Sequence, residues 1–107
     1  MVSIAFIYRS DVLSGFEMSG HASDSCTEGE DILCAALSSA AYLTANTITD
    51  VLGVEAEISV DDGFMRVVVP KGCGEKCVIV LMGLRLHFFA LAEDYSDKIN
   101  LINMEVK

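Results

Sequence analysis

Cations are scarce in this chain: seven Lys and Arg stand against sixteen Asp and Glu, a formal charge of −9 over 107 residues. Sequence-independent binding to phosphate backbones is driven by cationic side chains that displace counterions, so this balance argues against a nucleic-acid ligand. The same field raises the local concentration of a basic peptide. The opening residues, MVSIAFIYRS, lack the cationic start, long apolar core and small-residue cleavage site of a secretory signal. Nor does any stretch reach the roughly 18 uninterrupted apolar residues of a membrane span. The expectation is a cytoplasmic protein without a membrane partner. There is no repeat, low-complexity tract or linker, so residues 1–107 read as a single domain. Histidine is limited to His21 and His87, and cysteine to Cys26, Cys34, Cys73 and Cys77. In a reducing compartment such cysteines are thiols, metal ligands or a nucleophile before they are a disulfide framework.

What is present is apolar: 52% of the residues are hydrophobic and 21% charged, enough to bury a core that offsets the entropy of ordering. Residues 2–8 are rich in β-formers, Arg9-Ser10-Asp11 offers turn chemistry, and 12–19 pairs back as a hairpin that ends at Gly20-His21. From 30 to about 52, apolar residues recur three or four apart, as one buried helix face requires, and Gly53 supplies the C-terminal stop. Residues 55–60 and 64–69 flank an Asp61-Asp62-Gly63 turn and predict a second hairpin, which Pro70 ends. Residues 77–94 have helical spacing but are apolar on more than one face, which leaves room for a partner surface. Residues 99–106 suit a terminal strand. The predicted class is α+β, order ββαββαβ, one sheet with two helices packed over it. Strand order is not readable from this pattern.

The stretch GHASDSCTEGEDILCAALS, residues 20–38, places a histidine at a strand end and a cysteine near a helix opening. A cysteine attacks as thiolate, and its pKa falls near a helix N-terminus or a protonated histidine, because both stabilise charge on sulfur. If the helix starts near Asp31, Cys34 lies in its first turn. If Thr27 caps it with Glu30 three residues on, Cys34 falls in the second turn and loses much of the dipole effect. His21 is placed to take the thiol proton and return it to a leaving group. The plainer alternative is a buried Cys34 and a turn histidine, since unpaired cysteine is among the most buried residue types. Asp31 either caps the helix or orients His21. Ser38, one turn beyond Cys34, either lines the site or bonds back to its own helix. Cys73 and Cys77, four apart, join Cys26 and Cys34 as possible zinc ligands, although the spacing of the latter two departs from that of structural zinc sites. His87, among Leu86, Phe88 and Phe89, reads as an interior or interface histidine.

Gly20-His21-Ala22, a loop, then Gly29-Glu30-Asp31-Ile32-Leu33-Cys34-Ala35-Ala36-Leu37-Ser38 closely resembles the GHA…GxDIVCAAVS signature of the bacterial ribosomal-processing cysteine proteases, the Prp family. The resemblance implies a small cytoplasmic, homodimeric peptidase that removes an N-terminal extension from the twenty-seventh protein of the large ribosomal subunit. It implies a His21–Cys34 dyad and calls for no metal and no cofactor; Gly20, Asp31 and Ser38 are the candidate supporting residues. It further implies that the loop orders over the peptide, which makes Ser23, Asp24, Ser25, Thr27, Glu28, Gly29 and Glu30 substrate contacts, and that cleavage follows an aromatic residue. Here the loop carries an additional Cys26 and lacks the usual aromatic and alanine pattern, and Leu33 and Leu37 stand where valines are usual, a mild apolar change. The rival from another class is a non-catalytic, ribosome-associated binding module.

Overall fold

A computed structural model describes residues 1–20 and 28–107, with the side chains of residues 28–31 outside the described set. Strands β1 (Val2–Arg9) and β2 (Val12–Ser19) form the expected antiparallel hairpin. Its turn holds Ser10 at φ 51° and Asp11 at φ 66°, the left-handed pair that matches the twist of the flanking strands. Helix α1 (Glu28–Asn46) follows, then a wider turn over Thr47–Val51 in which the Leu52 N–H donates to the Thr47 carbonyl at 2.8 Å. Strands β3 (Glu57–Asp61) and β4 (Phe64–Val68), helix α2 (Gly74–Asp94) and strand β5 (Ile99–Glu105) complete the order ββαββαβ.

The five strands form one mixed sheet in the order β3-β4-β2-β1-β5, with β1 parallel to β5 and every other pair antiparallel. The register lines up apolar rows across the face that the helices cover. Ile4, Met18, Met65 and Val60 make one row, and Phe6, Phe16, Val67 and Ile58 the next. α1 lays Leu33, Leu37, Ala41, Ala45 and Ile48 on the sheet, a stripe of nearly constant four-residue spacing, and α2 adds Cys77, Leu81, Leu84 and Phe88. The segment Ile32–Val51 is, by length and composition, apolar enough to cross a membrane, with mean hydropathy 1.3; here its stripe is the sheet-facing side of the core helix. The helices cover the centre of the rows and stop short of β3, where Ile58 stays 41% and Val60 53% exposed.

Two boundaries differ from expectation. α1 begins at Glu28 rather than residue 30, so Glu28, Gly29 and Glu30, expected in the loop, have helical backbone. Acidic residues are favoured in a helix's first turn by the dipole, which offsets the single glycine there. α2 begins at Gly74 rather than residue 77 for a similar reason, with Glu75 in its opening turn. Gly53 does end the helical segment, at φ +68°. A Cβ at Gly53 would meet nothing within 4 Å, so Gly53→Ala tests backbone conformation alone. The expected result is a loss of about 1 kcal/mol, read as a lower urea midpoint with an unchanged m-value.

Candidate functional site

The backbone at the end of β2 frames a cleft. Gly20 adopts φ +91°, and a Cβ there would come 2.5 Å from the Met1 carbonyl oxygen, so only glycine fits without strain. Its N–H donates to the Gly63 carbonyl at 2.9 Å, which ties the end of β2 to the β3–β4 turn. Facing this corner, α1 presents Cys34, Ser38 and Tyr42 at successive four-residue steps, beside the buried Leu33–Leu37 stripe. Together with Met18, Val60, Asp61, Phe64 and Met65, these groups enclose a cleft of about 140 Å³. Cys34 and Ser38 are half-buried and Tyr42 is exposed along the rim. The walls are mostly apolar; the one acidic residue is Asp61, whose side chain the strand register turns to the other face of the sheet, and there is no Lys or Arg among the described lining residues.

Of the residues singled out in the sequence, the structure brings Gly20, Cys34 and Ser38 to one cleft. His21, Ser23, Asp24, Ser25, Cys26 and Thr27 lie outside the described residues, as do the side chains of Glu28, Glu30 and Asp31. Because α1 starts at Glu28, Cys34 is in its second turn, the second of the two placements the sequence left open. The helix dipole acts mainly within the first turn, so this placement takes Cys34 beyond its reach. A residue so far into a helix also commits its own N–H to the carbonyl four back, so the Cys34 amide is not a donor to a developing oxyanion.

The other sulfurs belong elsewhere. Cys73 caps α2 and Cys77 is buried one turn in. Burial pushes the Cys77 thiol up, Cys73 adds to the rise and Lys76 opposes it, so Cys77 behaves as a protonated apolar group. Gly74 lies against Val12, where β2 begins, whereas the Cys34 cleft lies where β2 ends. A strand of this length spans about 25 Å, too far for the two sites to share one metal. No group of three His, Cys, Asp or Glu gathers among the described residues. His87, read as an interior or interface residue, is exposed in this chain on the groove between α1 and α2, beside Leu43, Thr47 and Gly83.

Sequence reasoning missed Tyr42, Val60, Asp61 and Phe64. Tyr42 was recoverable, because it stands two helical turns from Cys34 on the same face. The strand residues reach the cleft only through the sheet order, which has no local signal.

The family model for cysteine protease Prp matches residues 1–100. A sequence comparison with curated proteins gave no match. Among solved structures, SMU.848 from Streptococcus mutans superposes with a TM-score of 0.85 at 26% identity, covering 99% of this chain and 96% of its own. An essential ribosomal processing protease Prp from S. aureus, in complex with a covalently linked product peptide, gives 0.84 at 21% identity, covering 96% of this chain and 99% of its own. The same S. aureus protease with a substrate peptide gives 0.84 at 19% identity, with the same coverage, and these two likenesses speak to the fold alone.

Proposed function

Since the chain belongs to the Prp family of cysteine proteases, which acts in ribosomal protein processing, we propose that it is an endopeptidase that removes the N-terminal extension of the twenty-seventh large-subunit ribosomal protein. One observation carries this reading: Cys34 opens onto a mostly apolar cleft that it shares with Gly20 and Ser38. Cys34 is the nucleophile and His21, next in sequence to the cleft residue Gly20, is the base. The Cys34 sulfur attacks the scissile carbonyl as His21 takes its proton. The same proton passes to the leaving amine, the peptide C–N bond breaks and an acyl-enzyme thioester remains. Water, deprotonated by His21, then hydrolyses the thioester and restores the thiol. Ser38 lines the site and supplies a hydroxyl donor there, Asp31 orients His21, and residues 23–30 contact the peptide. Leu37, Tyr42, Phe64 and Met65 supply an apolar wall suited to the aromatic residue that precedes the cut.

A cytoplasmic setting accords with the reducing conditions that a working thiol needs. The expected second copy of the chain finds support on α2, where Ile79 (81% exposed), Met82 (58%) and Leu86 (74%) form one outward apolar stripe. Leu86→Glu is expected to convert a homodimer to a monomer in analytical ultracentrifugation, with helical circular dichroism unchanged. A charge at the centre of such an interface would be desolvated without a partner.

The test of the peptidase reading is mass spectrometry of a precursor peptide carrying the extension, incubated with the purified protein. Cleavage at a single bond after an aromatic residue supports it. An intact peptide, together with a Cys34 that resists a small alkylating reagent, favours a binding module without catalysis.

A further inference from the structure

Among the described residues, the outer edge of β3 is the sheet edge that runs into the Cys34 cleft: Val60 and Asp61 belong to both. Among the described residues, β3 pairs on one side only, with β4. Which of its backbone groups point outward follows from the register. The β3–β4 hairpin closes at Asp61 and Phe64 across two residues, Asp62 and Gly63. In such a hairpin the closing pair exchanges both hydrogen bonds, and bonded and non-bonded pairs then alternate. Asp61–Phe64, Ser59–Arg66 and Glu57–Val68 are thus the bonded pairs, and Ile58–Val67 and Val60–Met65 the non-bonded ones. The far side of β4 agrees, since Gly63 and Val69, of the same parity as Met65 and Val67, bond toward the β2 side, at Gly20 and Ser14. The N–H and C=O groups of Ile58 and Val60 therefore face away from the sheet.

The side chains on this edge are sorted by chemistry. Ile58 and Val60 stand on the helix-covered face, in line with Val67 and Met65, yet about half of each is exposed because α1 does not reach them. On the opposite face stand Glu57, Ser59 and Asp61, flanked by Glu55 and Asp62, and residues 55–65 include no Lys or Arg. An exposed edge with apolar side chains is a pairing hazard that folds blunt with proline or charged side chains, lysine above all; β3 has no proline or lysine, and its charges, Glu57 and Asp61, are both acidic, which repels an acidic chain and admits a basic one. We propose that the peptide substrate binds as a sixth strand on the outer edge of β3. It pairs with the outward groups of Ile58 and Val60 and is thereby led to Cys34. This mode of binding rests on the peptidase reading above. It calls for an extended, basic segment in which every second side chain is apolar and lies over Ile58 and Val60, while those between meet Glu57 and Asp61.

Ile58→Pro in the full chain tests it, because proline there deletes an outward N–H and no bond to β4, and edge strands tolerate proline. The expected result is a kcat/KM for the precursor peptide lower by about tenfold or more, carried mainly by KM, with Cys34 alkylated at the parent rate. Ile58→Val, which keeps donor and shape, stays within about twofold. A second series leaves the protein untouched: peptides methylated at one backbone nitrogen each should lose about tenfold at alternate positions and little between them. That series decides the matter if Ile58→Pro fails to fold. The proposal is overturned if a parent that cleaves the peptide is matched by Ile58→Pro and shows no alternation. It is also overturned if Ile58→Pro changes only self-association, which would assign the edge to a second copy. A parent that leaves the unmodified peptide intact removes the peptidase reading and this proposal with it, an outcome distinct from both.

Discussion

Cys34→Ala is expected to lower the rate of precursor cleavage by about 10⁴-fold or more, with unfolding midpoint close to that of the parent. On the peptidase reading the activity term is large because the Cys34 thiolate forms the bond to the substrate, and the other described lining side chains include no second thiol. The stability term is small because Cys34 sits at the edge of the core, half-buried, rather than within the Leu33–Leu37–Ala41 stripe. Time-resolved mass spectrometry of the peptide, with urea titration of both proteins, reads the two terms separately. A folded Cys34→Ala protein that still cut the same bond at the parent rate would remove Cys34 from the chemistry.

The second large effect is on the fold. Gly15 lies on β2 opposite Val68 of β4, and a Cβ there would collide with the backbone carbonyl oxygen of Val67. Backbone cannot step aside as a flexible side chain can, so Gly15→Ala must push β4 away from β2 and strain the rows that hold Phe16 against Val67. A loss on the order of 3 kcal/mol is expected, at the upper end of overpacking costs. Urea unfolding followed by circular dichroism measures it. Because β4 also supplies Phe64 and Met65 to the cleft, kcat/KM should fall with stability. A parent-like midpoint would show that β4 relaxes without cost.

Much of this was legible before any coordinates. The recurrence of Ile32, Leu33, Ala36, Leu37, Ala40, Leu43, Ile48 and Val51 announces a helix, but not its buried face: Ile32, Leu43 and Val51 are exposed, and Ala41 and Ala45 complete the stripe on the sheet. Asp61-Asp62-Gly63 announces a hairpin, because glycine meets the left-handed requirement of the turn without strain. The element order followed from such local signals. What stayed hidden was non-local. Nothing near residues 99–105 says that β5 runs parallel to β1, and nothing near residue 60 says that β3 ends beside Cys34. The helix start was read late because Gly29 is a poor helix residue in isolation, whereas the acidic residues around it favour a helix N-terminus. Of the two readings of His87, interior and interface, the fold of the chain removes the first: its neighbours Leu86 and Phe89 are apolar on the outward side of α2, so hydrophobicity in sequence did not mean burial in the chain.

The placement of β1 has a consequence for synthesis. β1 is made before the other four strands and sits inside the sheet, yet one of its two edges waits for β5, the last of the five in chain order, with Val2 registered against Ile99. The nascent chain can close the β1–β2 hairpin early and add β3 and β4 as they emerge. It cannot satisfy the remaining edge of β1 until residues 99–105 are available. Pairing over so long a separation is slow, since most of the loop entropy is lost before the contact forms. Until then β1 exposes a row of unsatisfied backbone groups, and a chain cut short before residue 99 would keep that row exposed as a template for aggregation.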